Sequence, residues 1–281
     1  MTRAARWCTL ATLHDKGKPM TPTFYPAPRA LLLATVLCAC VFGLTLSVPA
    51  GAAEGTVLRI GFGSVTGSGK LQTDTRAVSG FQAISLKTSA RLVLRQGTRE
   101  GVELRADDNI LPLIETRIVD GAGGPTLEIR SRDGASYSTK TTPVVTVDLV
   151  RLSGLSVSGS GDVTAEALKS PALKIAISGA SDIRMNKLAV DDLGIKVSGS
   201  GDLHFTGRAG KLVVAIAGSG DVDTAGLEAD DVSISIAGSG GANVNARKAL
   251  TVSIAGSGDV TYSGDVVPKT SIAGIGTVRK K

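Results

Sequence analysis

The stretch "VSGSGDV", Val157–Val163, decides how the second half of the chain is read. Close copies follow it: "ISGASDI", "VSGSGDL", "IAGSGDV", "IAGSGGA", "IAGSGDV" and "IAGIGTV". Their first motif glycines are Gly159, Gly179, Gly199, Gly218, Gly238, Gly256 and Gly274, about 18–20 residues apart. Two residues before each glycine stand Val157, Ile177, Val197, Ile216, Ile236, Ile254 and Ile272. Four before stand Leu155, Ile175, Ile195, Val214, Ile234, Val252 and Thr270, and a Leu-rich position lies six before. Four after stand Val163, Ile183, Leu203, Val222, Ala242, Val260 and Val278. Small or polar residues such as Ser156, Lys196 and Ser235 fall between. This is period-2 alternation on both sides of a turn, so each repeat reads as strand, tight corner, strand.

A single rung of this kind buries too few side chains to offset the entropy of ordering it. Equal-length repeats remove the deficit by stacking, each residue lying over its equivalent about 4.8 Å away. The fold predicted is therefore all-β: a single-stranded parallel β-helix, or solenoid, with rungs of about 20 residues and a dry interior of Ile, Val and Leu. The glycines of "GSGD" supply the positive φ that a sharp corner requires, and Ser and Asp can bond local backbone there.

The aspartates form a column of their own: Asp162, Asp182, Asp202, Asp221 and, after a gap at Gly241, Asp259. Adjacent carboxylates at rung spacing repel by roughly 0.9 kcal/mol even in water. A cation column along them is one reading. The corner reading is preferred, because calcium needs six to eight oxygens and one Asp per rung supplies few. No metal and no cofactor are expected.

The N-terminal part is different. Arg29 precedes the apolar run "ALLLATVLCACVFGLTLSV" and then "PAGAAEG". A basic residue, an apolar core and a small-residue site describe a secretory signal peptide over residues 1–52, cleaved after Ala52. Met20 would give it a more usual length as the start. An uncleaved anchor and lipidation at Cys40 in "LCAC" are the alternatives, and only these bring membrane contact. All three cysteines precede residue 53, so the remainder can form neither a disulfide nor a thiolate metal site. Of the 31 basic and 25 acidic residues, five and one lie in this presequence. The remainder is nearly balanced, without the concentrated basic face that nucleic acid demands.

Residues 53–80 are rich in Gly, Ser and Thr and read as a leader or linker. Over residues 81–150 strand-like runs return, among them "FQAISL", "RLVLRQG", "TLEIRS" and "VVTVDLV". They are less regular and read as initial, atypical rungs that cap the core. "DDNILPLI", Asp107–Ile114, predicts one short helical turn limited by Pro112, and "RDGASYSTKTTP", Arg132–Pro143, an excursion loop. Residues 151–281 are the regular repeats.

"F-x-x-I" at Phe81–Ile84, the "RQG" turn, "ADDNILPLIETRIVDG" before "TLEI" and the "GSGD" repeats together resemble the bacterial autotransporter adhesin head, or GIN, domain. The resemblance covers about residues 60–281. It implies a β-helical fold on an exported bacterial protein and carries no active site over. Gly241 and Thr277 stand where the motif has Asp.

Chemistry has few candidates. After the presequence the chain holds one histidine, His204, at an outward strand position beside Asp202, and no "GxSxG". Five aromatics remain, of which Phe205 and Tyr262 share a column with Met185 and Val244 and read as core. The chain is therefore expected to be a non-enzymatic binding or structural module of the cell envelope, exported to the periplasm or surface. No series of membrane strands follows the repeats, so self-transport through a translocator barrel is not expected. The alternative is a polysaccharide-acting β-helix enzyme, a lyase or hydrolase, which would need a cleft joining two carboxylates and a base. The expected partner is an envelope protein or glycan. The flat outward column Ser156, Ala176, Lys196, Ala215, Ser235, Ser253, Ser271 could also pack against another sheet in a homo-oligomer.

Overall fold

The apolar columns turn inward and stack. In a computed structural model that describes residues 64–121 and 123–281, these residues belong to one compact unit. The signal-peptide reading of residues 1–52, with Met20 and Cys40, lies outside the described residues. The protein is a β-solenoid. Five long strands, Leu168–Gly179, Ile183–Gly199, Asp202–Gly218, Asp221–Gly238 and Gly241–Gly256, each bend from one glycine corner to the next and pair in parallel.

The register is that of the repeat. Leu155, Ile175, Ile195, Val214, Ile234 and Val252 are successive partners, as are Val157, Ile177, Val197, Ile216, Ile236 and Ile254. All of these are buried. Phe205, Tyr262, Met185 and Val244 are core residues too. Ile272, in the last rung, is 43% exposed because no further rung covers it among the described residues. The uneven repeat length is absorbed away from the "GSGD" corner. Register shifts fall at Met185/Leu188, His204/Thr206, Thr224/Glu228 and Ala229/Asp231.

The corner glycines carry two constraints at once. Gly218 has φ +142°, and a Cβ on it would lie 2.5 Å from the carbonyl oxygen of Gly199 in the preceding rung. The same conflict recurs at Gly179, Gly199, Gly238, Gly256 and Gly274. Backbone from neighbouring corners is in direct contact, and the residue after each glycine donates its N–H there, as Ser219 does to Gly199 (3.0 Å).

The capped end does not follow chain order. The strand Ala83–Lys87 lies between Gly154–Gly159 and Gly124–Ser131, and Arg91–Gln96 lies between Val163–Ala165 and Val144–Leu149. The rung built by residues 124–149 is thus outside the rung built by residues 83–96. Beyond it the pairing becomes antiparallel, with Gly101–Asp107 on Val144–Leu149 and Ile114–Gly121 on Gly124–Ser131. Antiparallel strands close the end of the stack without another full coil, which protects an otherwise open edge.

The Gly/Ser-rich stretch read as a leader contributes strands of its own, Val65–Thr66 and Leu71–Arg76, the second antiparallel to Gly101–Asp107. The polar excursion supplies Tyr137–Ser138 as partner to Val65–Thr66. The predicted helical turn is a 3₁₀ turn, Leu111–Leu113, with Ile110, Leu111 and Ile114 buried over the core. Arg76 ties it down by donating to the Ile114 carbonyl (2.7 Å) and the Leu111 carbonyl (3.3 Å). Asn109 accepts from the Ser68 N–H (3.0 Å) and donates to the Thr66 carbonyl (2.8 Å), so the Asp-Asp-Asn segment is a turn that clamps this strand.

Gly218→Ala is expected to lose at least about 1–3 kcal/mol from backbone strain, before the clash with Gly199 is counted. Gly101→Ala, where a Cβ meets nothing within 4 Å, is expected to stay within about 0.5 kcal/mol. Urea unfolding of the two variants checks the difference.

Candidate functional site

The aspartate column lies on the corners, exposed or half-buried, and two of its members act as caps between rungs. Asp221 Oδ1 accepts the Gly241 N–H of the next rung (2.7 Å). Asp259 Oδ1 accepts both the N–H (3.1 Å) and the hydroxyl of Thr277. These are the two places where the next rung has no Asp, so the N–H is reached without a second carboxylate beside it. Asp162 lies 3.8 Å from Arg91. Asp162, Asp182, Asp202, Asp221 and Asp259 stand one to a rung on successive corners, and among the described residues no group of three His, Cys, Asp or Glu side chains is placed to hold a metal ion.

His204 pairs through Nδ1 with Asp223 Oδ2 (3.1 Å), its cross-rung neighbour, and not with Asp202. Asp223 also accepts the Ala225 N–H (3.1 Å). No serine hydrogen-bonds this pair among the described residues. Some of the other acidic groups are held in surface ion pairs. Arg130 and Arg132 hold Glu115 at 3.1 Å each, and Lys248 holds Asp230 at 2.8 Å. Hydrogen bonding to Arg132 first, then to Arg130, holds the Glu115 carboxyl below the usual carboxylate range. Lys248 does the same for Asp230.

The outward face beside the corners has relief. Its central column runs Ser85, Ser156, Ala176, Lys196, Ala215, Ser235 in direct register. The next runs Ala83, Gly154, Lys174, Gly194, Val213, Ser233. Two hollows lie along them, of about 490 Å³ around Gly194 and about 710 Å³ around Gly154, and both are lined by Lys174 and Ala176. They form one trough. The hairpin strand Ile114–Gly121 walls its far end with Arg117 and Val119. There Glu128, with a side chain only 7% exposed, is held by Arg117 (3.2 Å) and Lys87 (3.4 Å). Its charge is committed to structure.

Residues 80–266 match the family model described as "Putative auto-transporter adhesin, head GIN domain". The chain belongs to the GIN-domain family. Its fold is shared with a crystal structure titled a putative adhesin from Bacteroides fragilis, at TM-score 0.72 and 25% identity over 78% of this chain and 100% of that one. A putative adhesin from Parabacteroides distasonis aligns at TM-score 0.61 and 23% identity, over 78% and 100% of the two chains. A protein of the same organism, titled a putative lipid binding protein, aligns at TM-score 0.62 and 22% identity over the same shares. No curated protein matches the chain.

In this GIN domain the repeated Asp is a corner, and the relief lies on the face between corners. Sequence reading found the central column but not the trough. Its walls come from residues spread between Ala83 and Ala215, and Lys174 and Lys211 stand in the sequence as ordinary solvated charges. The available signal was a pair of glycines in one column outside the corner motifs, Gly154 and Gly194.

The Thr277 hydroxyl, supported by its N–H, holds the Asp259 carboxyl below the usual carboxylate range. A depressed value means that the stabilisation is complete at neutral pH and is lost as pH falls through it. Protection of the Thr277 amide from hydrogen exchange is therefore expected to fall between about pH 5 and pH 2 in the wild type. In Asp259→Asn it is expected to be lower at neutral pH and flat on acidification.

Proposed function

We propose that the chain is an exported, non-enzymatic binding module of the bacterial cell envelope, adhesin-like in presenting a rigid face rather than an active site. The observation that carries this is the outward face itself. Two adjoining columns of outward side chains are held in register by a stack that no single rung can leave, and the trough runs along them. A pre-formed surface loses little freedom on binding, which favours recognition. The family and the adhesin titles of similar structures support a binding role. Asp221 and Asp259 are engaged as caps and Glu115, Glu128 and Asp230 in ion pairs, so none of these is arranged as an acid–base pair for polysaccharide cleavage.

The partner docks on the central column. Ala215 is flanked by Lys196 and Ser235, and an arginine there would stand across the face. Ala215→Arg is expected to abolish retention of the tagged protein on intact envelopes, with folding unchanged by circular dichroism. The wild-type protein is expected in the periplasmic or surface fraction, lacking residues 1–52 by mass spectrometry. A cytoplasmic protein of full mass, or an Ala215→Arg variant retained like the wild type, overturns the reading.

A further inference from the structure

The glycines of this chain fall into two groups. Those of the corners are required by positive φ or by backbone contact, as at Gly218 and Gly240. Gly194 is not. It sits in the middle of the strand Ile183–Gly199 with no positive φ, and a Cβ on it would meet only Lys174 Cγ, at 3.9 Å. Glycine is costly in a strand interior, where it loses the most conformational freedom and packs nothing. Neither the backbone nor the neighbours demand it here. What the missing side chain does is open the floor of the trough.

The surroundings of that opening are specific. Ala172, Ala176, Val213 and Ala215 make its sides, and Val213 is an exposed large apolar residue. Lys174, Lys196 and Lys211 stand around it, with Asp192 as the single acid. None of the three lysines is ion-paired to a described residue, although other basic groups on the surface are. Lys174 itself lies between Gly154 and Gly194 in its column, so its stem borders both hollows. From Val213 to Ala83 the trough crosses four rung steps, about 19 Å.

We propose that this trough binds an anionic amphiphile: a single acyl chain lying along the Gly154–Gly194 column, with its acidic head group among Lys174, Lys196 and Lys211. The inference rests on the binding-module reading and names its ligand class. The floor is aliphatic and without aromatic platforms, which suits hydrocarbon and not sugar rings. The strand backbones beneath are already spent on rung-to-rung hydrogen bonds, so an added peptide strand finds no partners there. A second copy of this face would bring its own three ammonium groups against these three. An acyl chain with one acidic head satisfies both the apolar floor and the unpaired charge.

The test is titration calorimetry of the full chain with dodecyl phosphate below its micelle concentration, alongside octyl phosphate, dodecyl maltoside and inorganic phosphate. Saturable one-to-one binding is expected for dodecyl phosphate, weaker for the octyl homologue and at least about tenfold weaker for dodecyl maltoside and for phosphate alone. Gly194→Val fills the opening with a strand-favouring residue. It is expected to melt at or above the wild-type temperature and to bind dodecyl phosphate at least about tenfold more weakly. Replacing Lys174, Lys196 and Lys211 together by Gln is expected to remove the preference for the anionic head and leave dodecyl maltoside binding as it was. The proposal is overturned by an absence of saturable dodecyl phosphate binding, by equal binding of the maltoside, or by a folded Gly194→Val variant that binds like the wild type. If the amphiphile fails while Ala215→Arg still abolishes envelope retention, the docking face stands without this ligand. If both fail, the binding-module reading falls with it.

Discussion

The structure depends on the contact between consecutive corner glycines. At each corner the backbone of one rung lies against the carbonyl of the rung before, so closely that no side chain fits between them. That contact sets the axial spacing and the register together. Once two corners are seated, the apolar residues two and four positions away have nowhere to go but over their counterparts. Hydrophobic burial then supplies the stabilisation, and the corners supply its order. The strands can vary in length between corners because the register is renewed at each one, and the shifts near residues 185–188, 204–206 and 224–231 show where the slack is taken up.

The same constraint separates what the aspartates do from what they could be taken for. A carboxylate on every corner resembles a ladder of ligands when written as a column. In three dimensions the aspartates sit one to a corner, and where the next rung offers a free N–H, at Gly241 and Thr277, Asp221 and Asp259 accept that bond. Loss of the Asp from those two rungs is matched by a gain in hydrogen bonding from the rung before. Variation in the motif is therefore compatible with its structural role.

The repeat half was legible because its glycine punctuation and its period-2 pattern name the same residues as core. Val157 through Ile254 needed no further information. The capped end was not legible to the same degree. Strands such as Gly101–Asp107 and Val144–Leu149 alternate in the same way whether their neighbours run parallel or antiparallel, so the pattern holds no record of direction or of rung order. The strand Leu71–Arg76 is polar along most of its length and has no apolar face to announce it. The trough was hidden for another reason. Its lysines become neighbours only across rungs, and an opening is made by a side chain that is absent.

The decisive measurement is a distance. Ser156 and Ser253 belong to one outward column, five rung steps apart, and nitroxide labels on cysteines at these two positions report their separation by double electron–electron resonance. Stacked coils in register require a narrow distribution centred near about 24 Å, from five steps of strand spacing. A broad distribution, or one centred well beyond that length, would mean that the corners do not seat on one another.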